Sequence, residues 1–189
     1  MSPSTNGENI RAEEIELNEK AYLAIEEAWR LTVKARALCP IADDSAIGMT
    51  GYISPPWYRK NGATYFVNLA EPLTATDVVE LRQIGSFVNR SFIIAMIAIL
   101  EGNNVIPFQG SIPPGDERDY VQLTKWLRNR FAHGHWEYNA NDKDHKETRD
   151  LLEELFPEVA SGHSGFVTSI DGILEPLKDR VLTYVRSRS

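Results

Sequence analysis

One cysteine in 189 residues, Cys39, excludes an internal disulfide framework and fits a reducing compartment. It stands before Pro40 at the end of a helical stretch, where a small buried hydrophobe is the expected role. A nucleophilic thiol would need a histidine partner and a lowered pKa. The opening "MSPSTNGENIRAEEIE" lacks the basic-then-apolar order of a signal peptide. The longest apolar run, "FIIAMIAIL" at 92–100, falls far short of the roughly 20 residues that cross a bilayer. No membrane contact is therefore expected, and a cytoplasmic location is. Positive charge is scarce as well: 20 Lys and Arg against 27 Asp and Glu leave a net charge of -7. A protein that grips long nucleic acid usually has a basic footprint, and none is present globally. No P-loop, G-x-S-x-G elbow or dinucleotide fingerprint occurs, so no cofactor is expected.

What is present describes an ordinary globular chain, 42% apolar and 25% charged. Residues 1–11 are polar and expected to be disordered. From 12 to 38, Ile15, Tyr22, Ile25, Trp29, Val33 and Leu38 recur at helical spacing. A second helix spans "TDVVELRQIGSFVNRSFIIAMIAIL", with Asp77 and Glu80 as its expected capping box. From Phe92 onward it is apolar nearly all round, which marks the central buried helix. "DERDYVQLTKWLRNRFAHG", "KETRDLLEELF" and "SGFVTSIDGILEPLKDRVLTYVRS" read as three more, the last with a bend at Pro176. Repeats and βαβ alternation are absent. The expected fold class is all-α: a helical bundle of about five helices in one domain over 12–189. Residues 40–75, rich in Pro, Gly and aromatics, form an irregular insertion. Its "YRKNGATYFVNL" carries an Asn-Gly hairpin signal, although a loop with its aromatics lying over the core is the favoured reading.

Positive charge is scarce overall but locally gathered in "WLRNRFAHGHW", residues 126–136. On a helix of 100° per residue, Tyr120, Leu123, Leu127 and Phe131 make the core side. Gln122, Lys125, Asn129 and His133 fall opposite, with Arg128 and Arg130 at the two edges. Arg128 and His133 stand about 140° and about 7.5 Å apart along the axis, within reach through the long arginine stem. A histidine at a helix C-terminus before a C′ glycine, Gly134, is also well explained by capping and the helix dipole. The chemistry of the set suggests more. An arginine fork binds phosphate, an imidazole moves protons near neutral pH, and asparagine can orient either. Such a set can cleave RNA without a metal, through attack of the substrate's own 2′-hydroxyl.

Arg128-Asn129-Arg130-Phe131-Ala132-His133 resembles the R-N-x-x-x-H motif of the HEPN superfamily (higher eukaryotes and prokaryotes nucleotide-binding domains). The likeness covers residues 12–185, with 40–75 a poor fit to the minimal bundle. It implies a compact α-bundle and metal-independent endoribonuclease activity, in a toxin–antitoxin or anti-phage setting. It further implies a homodimer in which two copies of the motif line one cleft, with RNA as substrate and an antitoxin or other protein as a further partner. Arg128 would contact phosphate, His133 would transfer protons and Asn129 would position the site. Lys125 and Arg130 are candidate substrate contacts, Arg130 serving either RNA backbone or a salt bridge.

Two readings from other classes stand beside this one. The first is a non-catalytic HEPN-like module that binds a nucleotide, RNA or protein. The second is an all-α interaction protein whose Arg128 and His133 are surface residues. A metal site at His133 and His135, with Asp142, Asp144 and His145 nearby, is disfavoured because alternate residues on a helix do not share a face. Asn89 and Arg90 in "FVNRSF" interrupt an apolar helix, either as an exposed stripe or as further lining of the His133 cleft.

Overall fold

The computed structural model describes residues 5–38, 44–53, 67–133, 139, 141–160 and 170–188. The described elements, in order, are α1 (Thr5–Leu38), a 3-10 turn (Asp44–Ala46), β1 (Gly51–Ile53), β2 (Val67–Leu69), α2 (Ala75–Gly102), α3 (Arg118–Ala132), α4 (Lys143–Leu155), α5 (Pro157–Ala160), a π-helical segment (Ile170–Leu174) and α6 (Glu175–Ser187). The fold is all-α, with five long helices and one small sheet among the described residues.

Helix α1 begins at Thr5, not near residue 12. Residues 5–11, expected to be disordered, lie within this helix. Thr5, Asn6, Gly7 and Asn9 are weak helix formers, so this first stretch extends a helix nucleated further along, where each added residue costs little. Helix α2 begins before the cap read from its sequence. Thr74 is the capping residue: its N–H and Oγ1–H donate to Asp77 Oδ2 at 2.7 and 2.6 Å, and Asp77 N–H donates back to Thr74 Oγ1 at 3.2 Å. The box is thus Thr74–Asp77 rather than Asp77–Glu80, with Asp77 in the first turn.

The chain divides into two compact units. One comprises Met1–Ala28 with Ile93–Ser189, the other Trp29–Phe92. The smaller unit contains the irregular insertion expected over 40–75. The 34 residues of α1 make about 50 Å of helix, more than one small core spans, so α1 and α2 each supply residues to both units.

In the larger unit, α3 packs against α6 and α4, and the π-helical segment leads into α6. Ile93, Met96, Ile97 and Leu100 of α2 are buried in this unit, as are Leu123 and Leu127 of α3, Leu152 of α4 and Leu177 and Val181 of α6. Among the described residues α2 is the one helix apolar enough, by length and composition, to cross a membrane. Its apolar stretch from Phe92 to Leu100 contains five residues that protein covers almost completely. Pro176 lies in the first turn of α6, where its missing N–H breaks no helical bond. A π-helical segment, Ile170–Leu174, runs directly into α6 just before this proline.

In the smaller unit, β1 and β2 pair antiparallel, Gly51 opposite Leu69 and Ile53 opposite Val67. The β-type run after the Asn-Gly pair ends in β2, while the pair itself lies outside the described residues, as does Cys39. Ala46, Leu73 and Val78 form a small core backed by Leu69 and Leu81. Trp29 and Phe92 meet with ring centroids 5.1 Å apart.

Candidate functional site

Helix α3 carries two buried stripes. The first, Leu123, Leu127 and Phe131, follows the 3–4 spacing that faces a core. The second, Val121, Thr124 and Lys125, leads along the same face to Arg128. Neighbours at three and four residues share a face, and this one is covered, so Lys125 does not point to solvent as its helical angle suggests. Lys125 is 9% exposed. Its ammonium donates to the carbonyl of Pro107 at 2.8 Å, which satisfies a charge that burial would otherwise penalise.

Arg128 is held from the end of α2. Its Nη2 stands 2.5 Å from Glu101 Oε1, and the two side chains are 19% and 11% exposed. Its guanidinium carbon lies 5.9 Å from the centre of the Phe108 ring. Arg130 reaches the first turn of α4, with Nη2 3.2 Å from Asp144 Oδ2. The salt bridge expected as one role of Arg130 is formed here. The Nε atoms of both arginines are buried and make no hydrogen bond among the described residues.

Asn129 lies between them, half-buried. His133 closes the helix, its backbone N–H donating to Asn129 O at 3.2 Å, and its side chain is exposed. Neither side chain has a hydrogen-bonded partner among the described residues. Gly134 and His135 lie outside those residues. One open concavity of about 450 Å³ is lined by Phe108, Lys125, Arg128, Asn129, Arg130, His133 and Asp144. All five residues singled out from sequence therefore share one surface. The sequence reading missed Glu101, Asp144 as the partner of Arg130, and Phe108. The available signals were the acid at the end of the apolar helix and the lone aromatic in a Pro/Gly loop.

The neighbouring turn is structural. Asp142 caps α4, its Oδ1 accepting from the N–H groups of Asp144 and His145 at 2.9 and 3.2 Å. The His145 amide is the main reason that its carboxyl is held below the ordinary range, and the charges of His145 and Arg130 add to the effect. His145 is buried. Its Nδ1 accepts the Asn139 N–H at 3.1 Å, and its Nε2 lies 3.8 Å from Asp142 Oδ2. This buried ring pins the turn before α4. Among the described residues no three His, Cys, Asp or Glu side chains cluster to hold a metal ion. Asn89 and Arg90 belong to the other unit. Asn89 is buried there, and Arg90 Nε donates one turn back to Ser86 O at 3.1 Å.

Chemically the concavity offers a braced guanidinium, an amide and an accessible imidazole within six residues of one helix. The two carboxylates neutralise much of the positive charge. Compared with models of known protein families, with curated proteins and with solved structures, the chain finds no match.

Proposed function

We propose that this chain is a metal-independent endoribonuclease of HEPN type. The supporting observation is the shared concavity: Arg128, Asn129 and His133 line it together, with the imidazole exposed and Arg128 fixed by Glu101. In the reaction the 2′-oxygen of the RNA attacks the adjacent phosphorus and the bond to the 5′-oxygen breaks. The 2′-hydroxyl proton leaves to a base and the departing 5′-oxygen receives one. The products are a 2′,3′-cyclic phosphate and a 5′-hydroxyl end. His133 transfers protons, a role that typically contributes about 10²–10⁴-fold in rate. Arg128 stabilises the charge that develops on the phosphate oxygens. Asn129 positions the phosphate, and Arg130 with Lys125 shapes the wall beside it. Two copies meeting across this concavity would bring two such sets into one cleft. A cytoplasmic toxin or anti-phage setting, with an antitoxin or other protein partner, belongs to the same reading.

One observation favours a second reading, a non-catalytic module that binds RNA, a nucleotide or a protein. All three cations of the concavity are already engaged, by Glu101, Asp144 and the Pro107 carbonyl.

Cleavage of single-stranded RNA in EDTA, wild type against His133→Ala, separates the two. The nuclease predicts cyclic-phosphate ends from the wild type and at least about a hundredfold loss in the variant. Equal cleavage by both proteins would remove His133 from the chemistry. Binding without turnover would favour the module.

A further inference from the structure

The segment joining α2 to α3 has no regular secondary structure, yet it is tied at many points. Val105, Ile106 and Ile112 are almost completely buried. Asn103 Nδ2 donates to Ile99 O at 2.8 Å, Arg118 Nε to Ile112 O at 3.0 Å and Tyr184 Oη to Pro113 O at 3.0 Å. Buried Lys125 fixes the Pro107 carbonyl, one residue before Phe108. Phe108 itself is 69% exposed, more than any other described phenylalanine. A loop held at both sides of this residue leaves a large apolar ring in water, where burial would ordinarily stabilise it.

The ring's surroundings indicate what it receives. It borders the concavity that holds Arg128, Asn129 and His133, with the Arg128 guanidinium at its face. An aromatic ring beside a guanidinium offers two planar surfaces for a third planar group. The rest of the wall sets Lys125, Arg128, Arg130, Asn129 and His133 against the one carboxylate of Asp144, a lining that leaves donors for the phosphate attached to such a group. A lone ring with those neighbours fits a nucleobase better than it fits an apolar protein surface.

We propose that Phe108 is a stacking platform for a base of single-stranded RNA, placed so that the adjoining phosphate reaches Arg128, with Lys125 as the positioning residue of the platform. The phosphate's fate rests on the nuclease reading, but the stacking does not require cleavage. Bases in an A-form duplex hide their faces, so the platform selects unpaired strands.

The test uses the wild-type chain and a 2′-O-methylated single-stranded oligonucleotide carrying one 2-aminopurine, in EDTA. The methyl groups remove the nucleophile, so binding is read without turnover. The expected result is binding with a change in 2-aminopurine fluorescence, and weaker binding of the matching duplex. Phe108→Leu, which keeps an apolar side chain without a π face, loses the fluorescence change and about tenfold or more in affinity. Phe108→Trp keeps both, and Lys125→Met loses part of each. With cleavable RNA, Phe108→Leu raises KM and leaves kcat unchanged. Equal affinity of Phe108→Leu and wild type overturns the platform, as does the absence of RNA binding by the wild type. A Phe108→Leu protein that changes from dimer to monomer by light scattering also overturns it, because the ring would then cover a second copy. Stacking without cleavage removes the nuclease and keeps the platform. Cleavage with an unchanged KM in Phe108→Leu does the reverse.

Discussion

Leu127 and Leu73 are the same residue in two different interiors. Leu127 is completely buried in the larger unit, on α3, which packs against α4 and α6. Leu73 is 8% exposed in the smaller unit, against Ala46, Val78, Leu69 and Leu81. The smaller unit also leaves Val79, Ile84 and Phe87 of α2 and Tyr52 of β1 exposed. Half of α2 is thus a core helix and half is a surface helix. The difference teaches where rigidity lies: the residues of the candidate site are fixed by the well-filled unit, and elements with few buried apolar neighbours are those that open first.

Leucine-to-alanine substitution turns this contrast into numbers. Loss of a buried leucine costs about 2–5 kcal/mol, set by how well the site can collapse. Leu127→Ala is expected near the top, about 4 kcal/mol, because helices on several sides hold the void open. Leu73→Ala is expected near about 2 kcal/mol, since a shallow core beside a short sheet can close over the gap. Urea unfolding followed by circular dichroism measures both. Equal losses would mean that the two interiors are packed alike.

The ion pairs sharpen the comparison at a smaller scale. Arg128 and Glu101 are mostly covered, whereas Arg82 and Asp44 of the smaller unit are 46% and 86% exposed at 2.9 Å. Removing one partner of a buried pair strands the other charge and costs about 3–5 kcal/mol, while exposed pairs contribute about 0–1 kcal/mol. Glu101→Ala, partly reached by solvent, is expected to lose about 2 kcal/mol, between these limits. Asp44→Ala should lose less than about 0.5 kcal/mol, and only at low salt. If both variants respond equally to added salt, the pairs are not differently buried.

These contrasts also mark what the chain's pattern made legible. The stripe of Leu123, Leu127 and Phe131 follows from helical spacing alone, and so does the gathering of Arg128, Asn129 and His133 near one helix end. The burial of Lys125 does not follow, because its cover and its carbonyl partner come from a loop 18 residues away. Glu101 and Asp144 are 27 and 14 residues from the arginines they bind, beyond any local pattern. Gly85 looks like a defect inside α2, yet the Arg36 guanidinium lies against its backbone, where a β-carbon would collide. Local rules find the faces of elements. Which faces meet is decided by tertiary packing.

The smallest expected effect compares two carboxylates at helix N-termini, one from each unit: the Asp142 cap and the Asp77 partner of the Thr74 cap. Asp77 and Asp142 are both held below the ordinary carboxylate range, Asp77 chiefly by the Thr74 hydroxyl and Asp142 chiefly by the His145 amide. For each, the folded pKa lies below the unfolded one. The folded state then binds fewer protons than the unfolded state as pH falls, so the contribution is fully present above the unfolded pKa, about 3.9. It is lost as pH drops through the folded value. Asparagine caps a helix about as well as aspartate but does not titrate. Asp142→Asn should therefore keep its neutral-pH stability and flatten the acid limb of stability against pH below about 4. Asp77→Asn should flatten less of that limb if the smaller unit has already opened before this carboxylate protonates. A parallel acid limb in Asp142→Asn and wild type would show that this carboxylate carries no acid-sensitive stability. Identical flattening by both variants would show that the two units resist acid alike, against the difference in packing that Leu127 and Leu73 express.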